Sequence, residues 1–197
     1  MSETEFLIGR SGLDLVDDFY PDDLPNEWRF DYYSTQFKVL SLPIDTQEDL
    51  DSIFEELQDS DEAFEMVLSI DAKQLADAVI LTELLNSVSE YQSLFVLFCE
   101  LDKPLSVDIM ALLKDYRVAF QSDQLFKLDY KTKQVAGKHL HYSHIPVLYT
   151  SSIWNEKQMR TYVEQAAVIN TRSILICKNA ESEALNKIRV IAEILGF

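Results

Sequence analysis

From Phe6 to Leu195 the chain alternates short apolar runs with longer segments whose apolar residues recur at helical spacing, and this alternation restricts the fold more than any other feature. Such a pattern buries its apolar faces in a mainly parallel α/β sheet or barrel. Seven runs read as strands: Phe6 to Gly9, Phe37 to Ile44, Phe64 to Ile70, Leu94 to Leu101, Arg117 to Gln121, Ile145 to Thr150 and Ser173 to Lys178. The run Leu94 to Leu101 is nearly continuously apolar, as suits a strand covered on both faces. Pro43 should end the second strand, because proline cannot donate to a ladder.

Helices are expected between these runs. One follows Pro25, anchored by Trp28, Tyr32 and Tyr33. A second starts from an N-cap at Asp45 or Thr46 and sets Leu50, Ile53, Phe54 and Leu57 on one face. Others span Ala72 to Ser89, Ser106 to Tyr116, Asn155 or Glu156 to Ile169, and Ala180 to Leu195. Ser122 to Ser143 loses clear periodicity. At 197 residues, 47% of them hydrophobic, the chain suits one domain spanning 1–197.

Charge is unevenly placed. Residues 1–71 hold 20 of the 34 acids and 3 of the 17 bases, a net charge of −17, whereas residues 72–197 carry 14 of each. A field of that sign repels nucleic-acid backbones and anionic membranes and attracts basic protein surfaces or cations. Cys99 and Cys177 lie inside apolar runs, where free cysteine behaves as a small buried hydrophobe and no disulfide framework is expected. The acidic start, without a basic n-region or a long apolar stretch, reads as that of a soluble cytoplasmic protein.

The segment Ile8-Gly9-Arg10-Ser11-Gly12, followed by Phe19-Tyr20-Pro21-Asp22-Asp23-Leu24-Pro25-Asn26-Glu27-Trp28 and Asp31-Tyr32-Tyr33-Ser34-Thr35-Gln36-Phe37, resembles the opening of the YecE-like proteins. Members of that uncharacterised family begin with a G-x-S-G strand end and an F-Y-P-x-x-L segment. Leu148-Tyr149-Thr150-Ser151-Ser152-Ile153-Trp154 and Ile174-Leu175-Ile176-Cys177-Lys178-Asn179-Ala180 are similar to the family's last two strand ends. The resemblance implies a TIM-like barrel. A full barrel usually needs about 250 residues, so the expectation is a reduced form with about seven mainly parallel strands and one strand-helix unit lost.

The chain departs from the family where polar strand ends would stand. Val39-Leu40-Ser41-Leu42 replaces V-E-I-N, Leu68-Ser69-Ile70-Asp71 replaces a lysine ending, and Cys177-Lys178-Asn179 shortens an F-N-N-D-like ending. An arginine-histidine pair expected near the penultimate strand has no clean counterpart. Barrel chemistry is built at the C-terminal ends of strands, so these losses point to a degenerate barrel, a pseudoenzyme.

The polar residues left at strand ends are the candidate site. Asp71, Glu100, Asp123 and Lys178 are catalytic candidates, because carboxylates beside a lysine permit acid-base work. Arg10, Ser11, Asp102 and Asn179 are ligand-binding candidates, and Gly9 to Gly12 could aim amides at a phosphate. Acids after strands also serve as N-caps, and the two glycines as a tight turn. His139-x-His141-x-x-His144 is a weak metal pattern without a cysteine or acid at a familiar spacing, and its default reading is surface or loop histidines. Lys127, Lys131, Lys133 and Lys138 with Phe126 and Tyr130 read as a solvated basic hairpin rather than a nucleic-acid contact. No dinucleotide, Walker or nucleophile-elbow motif is present, and no cofactor is expected.

The leading functional expectation is a non-catalytic interaction module whose acidic face, residues 14–65, contacts a basic protein partner. The alternative is a small metal- or acid-base-dependent hydrolase or isomerase with its site at the strand ends. Self-association as a homodimer is a third reading, since a lost unit would expose strand edges.

Overall fold

All seven apolar runs form strands. In the computed structural model, which describes residues 5–15, 19–46, 48–60, 63–151, 155–167 and 172–197, the chain runs β1 (Glu5–Ser11), a 3-10 turn (Asn26–Trp28), α1 (Arg29–Gln36), β2 (Val39–Pro43), α2 (Leu50–Asp59) and β3 (Glu65–Ser69). It continues through α3 (Ala72–Ala76), α4 (Ala78–Ser87), a second 3-10 turn (Ser89–Tyr91), β4 (Phe95–Leu101), α5 (Val107–Leu113) and β5 (Val118–Ser122). The remaining elements are β6 (Lys131–Val135), β7 (Lys138–Tyr142), β8 (Val147–Thr150), α6 (Glu156–Ala167), β9 (Arg172–Cys177) and α7 (Ser182–Ile194). No helix among the described residues is long and apolar enough to cross a membrane.

These nine strands form a mixed sheet rather than the expected reduced TIM-like barrel of about seven mainly parallel strands. The two additional strands, β6 and β7, come from the stretch that lacks periodicity. β7 runs antiparallel to β5, and β6 antiparallel to β7. A two-residue turn makes this hairpin: Ala136 and Gly137 both have positive φ, 49° and 79°, which matches the twist of paired antiparallel strands. Four of the five β6 residues are exposed and only Val135 is buried, so it carries none of the apolar signal of the other strands.

The chain divides into two compact units, residues 1–41 with 148–197, and residues 42–147. In the first unit β1 is central, parallel to β2 on one side and to β9 on the other. Gly9 is required there, since a Cβ at that position would stand 2.0 Å from the Val39 carbonyl oxygen. Tyr33 of α1 is fully buried. Its hydroxyl accepts from the Arg10 amide at 3.1 Å and donates to the Val39 carbonyl at 2.9 Å, stitching β1 to β2. The F-Y-P segment is aromatic packing: Phe19 lies 4.8 Å from Tyr20, 5.3 Å from Tyr32 and 5.9 Å from Phe37, centroid to centroid. Trp28, expected as an anchor, is 59% exposed, and Phe30 takes the buried place. Leu185, Ile188 and Ala192 form the buried stripe of α7.

In the second unit β3, β4 and β5 are parallel, and the β6–β7 hairpin extends them. α2 buries Ile53 and Phe54, and complete burial of side chains of this kind contributes roughly 1.5–3 kcal/mol each. Its N-cap is Asp49, whose carboxylate accepts from the Ser52 amide at 3.1 Å, rather than Asp45 or Thr46. The helical pattern expected over Ala72 to Ser89 breaks at Asp77, which adopts extended geometry and caps α4 through the Val79 and Ile80 amides. Ser106 caps α5 as its position implies.

Candidate functional site

Asp71, Glu100, Asp102 and Asp123 belong to the second unit. Asp71 is the N-cap of α3: its carboxylate accepts from the Lys73 and Gln74 amides at 2.7 and 2.8 Å, while Gln74 returns its side-chain oxygen to the Asp71 amide at 2.9 Å. This reciprocal capping box gives the carboxylate a structural use. Glu100, Asp102 and Asp123 do come together, with Gln121 and Lys138, around a cavity of about 430 Å³. Glu100 accepts from the Gln121 amide group at 3.1 Å, and Asp123 pairs with Lys138 at 2.6 Å. No cluster of three histidine, cysteine or acidic side chains fit to hold a metal occurs among the described residues.

The three histidines do not converge as ligands. His141 is fully buried on β7, contrary to the surface reading, and its Nδ1 shares a hydrogen bond with the Thr132 hydroxyl at 3.0 Å. Its Nε2 has no partner among the described residues. Burial, assisted by His139, lowers its pKa below the ordinary 6.5, so the ring is neutral in its resting state. His144 is exposed beyond the strand, and its Nδ1 lies 3.0 Å from the Ser143 hydroxyl.

Arg10, Ser11, Lys178 and Asn179 lie in the first unit. Arg10 stands beside Cys177 and Leu40 in register. It is 4% exposed, yet its Nε and Nη1 have no hydrogen-bond partner among the described residues. Parallel register pairs Ser11 with Ser41, so both side chains leave the same face of the sheet. Ser41 is fully buried, and its hydroxyl shares a short hydrogen bond with that of Tyr149, itself 5% exposed. The Lys178 ammonium lies 5.3 Å from the centre of the Tyr149 ring.

In the sequence Ser41 stands within an apolar stretch, and Tyr149 within an aromatic strand end. Neither was singled out because the hydrogen bond joining them crosses 108 residues of chain. The signal was a serine among the apolar neighbours Val39, Leu40 and Leu42. Asn179, with Thr150, Asn155, Lys157 and Cys177, lines a separate cleft of about 820 Å³ at the ends of β8 and β9, beside the first turns of α6 and α7. No family model, no curated protein and no solved structure matches this chain.

Proposed function

We propose that this chain is a non-catalytic cytoplasmic protein that docks a basic protein surface on the acidic face of α2. One observation carries the reading. Asp51, Glu55 and Asp59 are spaced four residues apart along α2 and all three are exposed, with Glu48, Asp49 and Glu56 exposed beside them. Like charges at that spacing destabilise a helix by about 0.2–0.5 kcal/mol per pair. Asp59 adds a second cost, because it stands at the helix C-terminus, where the dipole disfavours an acid. No lysine or arginine occurs between Lys38 and Lys73 to offset them locally.

An arrangement that lowers the helix's own stability makes sense when a partner supplies the cations. The strand-end carboxylates of the same unit support this reading, since Asp71 serves as a cap and Asp123 as an ion-pair partner. Fluorescence anisotropy of a labelled lysine-rich peptide tests it. Affinity should fall about tenfold or more between ~50 and ~200 mM salt, as an electrostatic contact requires. Absent binding, or binding indifferent to salt, would exclude the interface.

A further inference from the structure

The strand ends of the first unit hold a second polar constellation, independent of the acidic helix. Ser11 and Ser41 are register partners on one sheet face. Tyr149 reaches that face from β8 and meets the Ser41 hydroxyl. Lys178, immediately after β9, lays its ammonium over the Tyr149 ring at 5.3 Å. Three hydroxyls and one cation thus collect from four strands, level with the C-terminal ends of β1, β8 and β9. In open α/β sheets that is the end where ligands are bound.

We propose that Lys178, Tyr149, Ser41 and Ser11 form a binding site for a small oxyanion, the phosphate or carboxylate group of a small molecule. Two buried hydroxyls are costlier than apolar side chains such as Leu40 and Leu42 on either side of Ser41. Ser41 and Tyr149 meet that cost by bonding each other, which fixes both oxygens in place. An ammonium is a compact charge suited to phosphate or carboxylate oxygens. The ring beside it favours that position through a cation–π contact. Lys178 and Ser11 are each half-buried, whereas Tyr149 and Ser41 are buried.

The net charge of −17 repels small anions from the rest of the molecule. Saturable anion binding therefore reports a built site rather than general attraction. Calorimetric titration with inorganic phosphate, and in a separate arm with succinate, tests the proposal on the full chain. The result expected is one-to-one binding of at least one probe, and the arm that responds names the group. Lys178→Met should weaken binding tenfold or more, while Lys103→Met, an exposed position in the other unit, should leave it unchanged. Tyr149→Phe keeps the ring and removes the hydroxyl, and it should weaken binding threefold or more, which decides the matter alone should the lysine variant fail to fold. No saturable binding of either probe by the wild type, or equal affinity in the wild type and every folded variant of Lys178 and Tyr149, overturns the site.

Discussion

Arg10 and Asp14 form an ion pair whose two ends live in different solvents. Their Nη2 and Oδ1 atoms are 3.1 Å apart, yet the arginine side chain is 5% exposed and the aspartate side chain 83%. The carboxylate keeps its hydration while the guanidinium has given its own up. With Nε and Nη1 unpartnered among the described residues, Arg10 is a buried cation that those residues only half satisfy. Replacing such a group by an apolar side chain of similar volume is often neutral or stabilising, by up to several kcal/mol. Arg10→Met should therefore raise the unfolding free energy by about 1–2 kcal/mol, read as a higher urea midpoint at an unchanged m-value. Asp14→Ala, which leaves the buried guanidinium without its carboxylate, should instead cost about 1–3 kcal/mol.

Tyr33 should show the opposite behaviour. Its hydroxyl satisfies the Arg10 amide and the Val39 carbonyl at once, and burial raises its pKa far above the ordinary tyrosine value, so it serves as a neutral bridge. Tyr33→Phe orphans two backbone groups in a dry place. Loss of about 1–3 kcal/mol is expected in chemical denaturation. A variant as stable as the wild type would mean that β1 and β2 close up without the phenol.

His141 predicts a pH dependence with a definite sign. Its folded pKa lies below the unfolded value of 6.5, so the unfolded chain binds more protons in the interval between them. The stability that its neutral form provides is complete above pH 6.5. It is lost as pH falls from there toward the folded pKa. Thermal melts across pH 5–8 should show this acid-side decline, and His141→Phe should flatten it. An unchanged slope in that variant would place the pH sensitivity elsewhere.

Burial pushes the Cys177 thiol up to about 12, and burial with the nearby carboxylates of Glu100, Asp71 and Asp102 does the same to Cys99. At pH 8 each is therefore about one part in ten thousand thiolate. Neither should react with iodoacetamide faster than the chain unfolds, so labelling followed by mass spectrometry should give one slow rate for both. Fast labelling of either would show local opening at its strand.

Strand positions were legible because burial on both faces leaves an apolar run, as Leu97, Phe98 and Cys99 show in β4. The sequence reads as a barrel and the mixed sheet was not legible in it, because what distinguishes that sheet is a hairpin strand, Lys131–Val135, that faces solvent and is written in lysine, threonine and glutamine. The break in the helix at Asp77 was hidden for a related reason. Leu75 and Leu81 continue the helical spacing across it, while the cap that divides the two helices is a single aspartate hydrogen bonding forward to Val79 and Ile80. At the candidate site, Lys178 and Ser11 stood out as polar residues after strands. Ser41 and Tyr149 did not, since only the neighbouring arrangement of β2, β1, β9 and β8 brings them together.

The interaction reading rests on the acidic row of α2, and Glu55→Lys tests it most directly because two observables must move in opposite directions. The new lysine stands four residues from both Asp51 and Asp59, turning two repulsive pairs into attractive ones, so the chain should gain about 1 kcal/mol of stability. The same change should weaken binding of the lysine-rich peptide at low salt by tenfold or more. A variant that is more stable yet binds the peptide as tightly as the wild type would contradict the assignment of this helix as the docking face.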